Sequence, residues 1–150
     1  MTNRTNKKVK IERYAIGQIN MLANKLATKS SEAYQTKFDI GIMEWRVLAI
    51  LAVYENCSVQ NITDIIGLDK GAVSRALKKL ESKSYVTIQE DEFNKRAYII
   101  NITKQGRLLH NKVYDFSMKR EEKLLSKLNE EEKEELFKYL KYLKEMIDEL

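Results

Sequence analysis

From Ser58 to Ile102 the apolar residues change period once, from that of a helix to that of a strand. Val59, Ile62, Ile65 and Ile66 mark a short helix with Ser58 as its N-cap, and all four are expected to point inward. Gly67 stops that helix, Leu68 is expected to anchor the turn in the core, and Asp69 caps the next helix. There Val73, Ala76, Leu77 and Leu80 recur on one face, while Gly71, Ser74, Arg75 and Lys78 recur on the other. After Ser84 the pattern alternates: Val86 and Ile88 share a face in "YVTIQE", "DEFNK" reads as a polar turn, and Tyr98, Ile100 and Ile102 align in "RAYIINI". Two short helices joined by a turn of about three residues, with a β-hairpin directly after them, make a winged helix-turn-helix.

The rest of the chain reads as helix. It contains no proline, the strongest helix breaker, and few glycines. A first amphipathic helix spans about Lys8 to Ser30, with Ile11, Ala15, Gln18 or Ile19, Leu22 and Leu26 along one face. "SSEAYQTKFDIG" loses that periodicity and reads as a connection, with Gly41 as the cap of a second helix, "IMEWRVLAILAVYE". That helix is apolar over most of its circumference and belongs in the centre. Thr103 caps a fifth helix running to about Leu128. Asn129 caps a sixth, with Glu132 at the capping-box position and Leu136, Phe137, Leu140, Leu143 and Ile147 forming its apolar face. The expected fold is mostly α, an α+β winged helix: a single domain over residues 1–150, with the winged helix-turn-helix at about 42–102 and flanking helices at about 8–30 and 104–150. The small central module cannot cover all the apolar surface of the flanking helices, so a second copy is expected to do so, giving a homodimer.

Composition removes several classes of function. No apolar run reaches about 18 residues, and the basic start "MTNRTNKKVKIERY" is not followed by an apolar signal core, so a cytoplasmic protein without membrane association is expected. One cysteine and one histidine cannot build a disulfide or a zinc site. His110 has no nucleophile spaced to partner it, and no phosphate loop is present, so neither an enzyme nor a cofactor is expected. Cys57 reads as a small buried hydrophobe beside a helix start, with a redox sensor as the alternative.

Charge is distributed unevenly. From Met1 to Asn20 five basic residues face one acidic, and from Lys70 to Lys83 the same ratio returns, whereas Lys119 to Leu150 holds eight basic against ten acidic. A local basic stripe of this kind marks a polyanion site more clearly than the net charge of +5 does. The major groove, about 12 Å wide, admits a helix whose exposed face is narrow, small and polar. Gly71 and Ala72 would let the backbone approach, Ser74 and Arg75 would read base edges, and Lys70, Lys78 and Lys79 would meet phosphates. Lys95 and Arg96 at the hairpin tip would reach the backbone or the neighbouring minor groove. The expected partner is therefore double-stranded DNA. The alternative is a winged-helix protein-interaction module with no DNA target of its own.

From about Ile11 to the C-terminus the chain also resembles the MarR family of transcriptional regulators. The segments that carry this are "MEWRVLAIL", "LDKGAVSRALKKLESKSYV" and "NKRAYIINITKQG". The family's wing usually reads Asp-x-Arg, then an apolar strand and Leu-Thr-x-x-Gly. Asn94, Arg96, Ile102, Thr103 and Gly106 fall on those positions, with Asn94 in place of the acid and Gly41 where the family often has a capping Thr. The resemblance implies a homodimer held by the terminal helices and bound to a pseudo-palindrome, commonly as a repressor. It also implies relief by a small aromatic or phenolic effector seated between the dimerisation helices and the DNA-binding module. Tyr14, Trp45, Arg46, His110 and Tyr114 are the polar-aromatic candidates for that pocket, since an arginine among aromatic rings suits an aromatic carboxylate. Some relatives sense oxidants through a cysteine in the first helix. This chain has none there, so that property is not carried over.

Overall fold

The computed structural model describes residues 10–92, 94, 97–147 and 149–150. After a 3₁₀ turn (Ile11–Arg13) come α1 (Ala15–Phe38), α2 (Ile42–Val53), α3 (Val59–Ile66), α4 (Lys70–Ser82), β1 (Val86–Glu90), β2 (Tyr98–Ile102), α5 (Lys104–Leu124) and α6 (Glu130–Ile147). The chain forms two compact units, Met1–His110 and Asn111–Leu150. Among the described residues no helix is long and apolar enough to cross a membrane.

In the first unit α2 is central, as its apolar circumference requires. Its Val47, Leu48 and Leu51 are buried with Ile62 of α3, Val73, Leu77 and Leu80 of α4, and Ile100 of β2. Glu44 stands in for the side-chain cap that Gly41 lacks: its carboxylate accepts the Gly41 N–H at the start of α2. Ser58 caps α3 by accepting from the Asn61 N–H, and Asp69 caps α4 by accepting from the Ala72 N–H. Gly67 ends α3 at φ 71°, the left-handed region that glycine enters without steric cost. β1 and β2 pair antiparallel, with Val86 opposite Ile102 and Ile88 opposite Ile100.

Three sequence expectations are corrected here. The first helix does not run from Lys8 to Ser30. Lys8 lies outside the described residues, Tyr14 is extended at φ −93°, ψ 93°, and α1 starts at Ala15 and continues to Phe38. "SSEAYQTKF" is therefore helix. Its inward stripe persists through the half-buried Ser30, Ser31 and Ala33 and the buried Tyr34, small or polar residues that a hydropathy pattern passes over, to the half-buried Phe38. Left-handed Asp39 (φ 54°) ends the helix, its N–H bonding Gln35 O.

Second, Ile65 is 53% exposed and Leu68 39% exposed. At 100° per residue, Val59, Ile62 and Ile66 share one arc of α3 and Ile65 falls on the other flank, while Leu68 follows the left-handed turn outward. Third, two helices stop early. α2 ends at Val53, with Tyr54 extended, and α5 ends at Leu124, where Leu125–Leu128 form a turn.

In the second unit α6 opens with the expected capping box. Asn129 N–H donates to the Glu132 carboxylate, and Glu132 N–H donates to Asn129 Oδ1. Its Phe137, Leu140, Leu143 and Ile147 are 43–61% exposed.

Candidate nucleic-acid interface

The candidate surface is built on α4. Val73, Ala76, Leu77 and Leu80 sink into the core, which fixes the rotation of the helix about its axis. Lys70, Gly71, Arg75 and Lys78 are then exposed, and Ala72 and Ser74 half-buried. Lys70, Arg75 and Lys78 take no part in the ion pairs found among the described residues. Lys79 does. Its Nζ lies 3.5 Å from Oε1 of Glu44, so this lysine stands on the flank of α4 nearer to α2. Lys83, the C-cap of α4, donates to both the main-chain oxygen (2.6 Å) and the carboxylate (2.8 Å) of Asp39. The Lys83 hydrogen bond, then its charge, holds the Asp39 carboxyl below the usual carboxylate range.

The hairpin is tied down at both ends. At the tip, Asn94 donates its N–H to the Asp91 carboxylate and accepts from Ala97 N–H. Lys95 and Arg96, expected at this tip, lie outside the described residues. At the root, the Thr103 hydroxyl donates to Ser84 O (2.7 Å) and accepts from Gly106 N–H (3.0 Å). A Cβ on Gly106 would sit 2.0 Å from the carbonyl oxygen of Tyr85, so only glycine lets α5 begin this close to the root of the hairpin. Behind β2, Cys57 and Ile100 exchange both backbone hydrogen bonds, the Asn56 and Asn101 side chains and backbone interlock, and Arg107 donates to Ala52 O. Cys57 is buried, and that burial pushes its thiol pKa up.

Of the residues read as an effector pocket, Trp45 and His110 come together, their rings stacked at 5.3 Å. Tyr34, which the sequence did not flag, joins them 6.0 Å from Trp45. Arg46 is exposed on α2, Tyr14 is 48% exposed with its ring against Gly17, and Tyr114 lies in the second unit.

Asp39, Glu44, Lys83 and Asn101 were not singled out from the sequence. The Gly41-x-x-Glu44 spacing is a legible capping signal, but the contacts of Asp39, Lys83 and Asn101 span 44–45 positions along the chain and have no local pattern.

A helix-turn-helix with a pinned wing and a small, basic outer face defines a winged helix-turn-helix protein. Residues 38–97 match the MarR family. A solved MarR/EmrR family transcriptional regulator from Acinetobacter sp. ADP1 is 48% identical, with 95% of this chain and 100% of that one covered and a TM-score of 0.87. An uncharacterized HTH-type transcriptional regulator, YwoH of Bacillus subtilis, is 27% identical over 124 residues, 83% of this chain and 89% of that protein. A mutant MarR from E. coli, solved in complex with operator DNA, shares the fold at a TM-score of 0.78 with 20% identity, covering 91% of this chain and 98% of that one. The chain belongs to the MarR family and is a transcriptional regulator of that family, not an enzyme.

Proposed function

We propose that the protein binds double-stranded DNA sequence-specifically, as a homodimer on a pseudo-palindromic operator, and acts as a ligand-responsive repressor. The observation that carries the DNA-binding reading is the rotation of α4: its apolar residues are buried, and Gly71, Arg75 and Lys78 are left exposed in a row. Ser74 and Arg75 read base edges, and Lys70 and Lys78 meet phosphates, with Lys79 and the hairpin residues Lys95 and Arg96 contributing further positive charge. The E. coli MarR–operator complex supports this reading through the shared fold.

Dimerisation is supported by apolar residues exposed on helices of both units, among them Ile16, Ile19 and Leu22 of α1 and Leu140, Leu143 and Ile147 of α6. Two copies would set their α4 helices about 34 Å apart, one DNA turn. The Trp45–His110 stack supports an aromatic or phenolic effector, with Tyr14 and Arg46 of the same unit as further candidate contacts. Such an effector would act by favouring a different separation of the two reading heads.

Selection of bound sequences from a random DNA library, at roughly physiological salt, tests the proposal. The expected result is an enriched inverted repeat with half-site centres about one helical turn apart. Weak, salt-sensitive binding without enrichment would favour the protein-interaction module instead.

A further inference from the structure

The basic residues of α4 and its C-cap divide into two sets. Lys70, Arg75 and Lys78 belong to the outer face, whereas Lys79 and Lys83, one helical turn apart, both pair with acids of the α1–α2 junction. Lys83 is held from two sides. Asp39 offers it a main-chain oxygen at 2.6 Å and a carboxylate oxygen at 2.8 Å. Asp39 is itself set in place, because Gln35 Nε2 donates to its other carboxylate oxygen at 2.8 Å and its own N–H bonds Gln35 O at 3.1 Å. The ammonium therefore sits at the C-terminal, negative end of α1, where carbonyls lack partners within the helix. Glu44, at the positive end of α2, closes the second contact to Lys79. An exposed ion pair in isolation holds little. Here the acceptors are prearranged by helix ends, and two contacts act on one short stretch. That stretch leads directly into the hairpin, since Ser84 (φ 60°) follows Lys83 and accepts from the Thr103 hydroxyl.

We infer that Asp39 and Glu44 are positioning residues, which lock the C-terminal end of the recognition helix α4, and with it the root of the hairpin, to the junction between α1 and α2. The inference rests on the DNA-binding reading above and deepens it. The acids touch no DNA. They make the pose of α4 follow α1, so that a shift of α1 in the dimer becomes a shift of the reading head.

The test uses the full chain and the operator selected by the wild type. Dissociation constants are measured for the wild type, Asp39→Asn, Lys83→Met, the double variant and Lys83→Arg. Each is measured on that operator, on versions with the half-site spacing changed by one base pair, and on scrambled DNA. Asn tolerates the left-handed conformation at position 39, and thermal melts check folding. Each single substitution is expected to weaken operator binding roughly three- to tenfold, the double variant no more than either single, and Lys83→Arg to restore binding. The discrimination against misspaced operators is expected to narrow in the singles, a change that a general loss of stability would not produce.

Wild-type affinity and spacing preference in both singles would overturn the inference and leave DNA binding intact. So would equal losses on operator and scrambled DNA with a shallower salt dependence, which would make Lys83 a phosphate contact. Failure of the wild type to select any sequence would overturn the DNA-binding reading, and this one with it.

Discussion

The Nζ of Lys79 lies 3.5 Å from Oε1 of Glu44, the one charged residue among those described that is buried. The same carboxylate caps α2 at Gly41. One side chain thus serves two helices, and its removal leaves an open helix end and an unpaired lysine. Glu44→Ala is expected to lower stability by about 1–2 kcal/mol in urea denaturation. Glu44→Gln keeps an acceptor for Gly41 and should cost less. Equal losses in the two variants would assign the whole effect to the ion pair.

Arg75→Ala is expected to cost about 1–3 kcal/mol on the selected operator and little on scrambled DNA, as a lost base contact does. Equal losses on both would make Arg75 a phosphate anchor.

Lys78→Ala should lower the slope of log K against log salt by about 0.9, the value for one phosphate contact. Lys79→Ala should lower it less, because Glu44 already draws on that ammonium. Titrations across a salt series on one operator compare the two directly, and equal changes in slope would show that Glu44 does not compete with DNA for Lys79.

Gly106→Ala places a methyl group where the Tyr85 carbonyl now stands. Backbone cannot rotate away as a flexible side chain can, so a loss of about 3 kcal/mol is expected in thermal or chemical denaturation. A variant as stable as the wild type would mean that α5 can start farther from the hairpin root.

The Cys57 thiol is buried and its pKa raised by that burial, so it stays protonated at pH values where an exposed cysteine ionises. Alkylation of the native protein at pH 8 should be about tenfold slower or more than in denaturant, read by mass spectrometry. Comparable rates would reopen a redox role for this residue.

The Asp39 carboxyl is depressed in the folded protein. A depressed acid stabilises the fold above its unfolded value and loses that contribution as pH falls through its folded value. Wild type and Asp39→Asn should therefore differ in melting temperature at pH 7 and begin to converge only as pH falls below the ordinary carboxylate value of about 4. A difference that persisted at pH 2 would arise from something other than the Lys83 pair.

Much of this protein was legible in the residue order because the relevant physics is local. The caps at Ser58, Asp69 and Asn129 act over three residues, and the change of period at Ser84 separates helix from strand by side-chain spacing alone. The buried stripe of α4 follows from the same periodicity, and it fixes which residues remain for a partner. Where the local signal was weak, folding decided. α1 continues to Phe38 because Tyr34 meets Trp45, a contact that no hydropathy pattern in "SSEAYQTKF" announces. Ile65 turned outward because an eight-residue helix has one inward arc, and Val59, Ile62 and Ile66 occupy it. The pairing of Asp39 with Lys83 joins residues 44 positions apart, and together with the Glu44–Lys79 pair it divides the lysines of α4 and its C-cap into an outer and an inner set. Charge along the chain says that a helix is basic. Only the packed structure says which of its charges are already held within the protein.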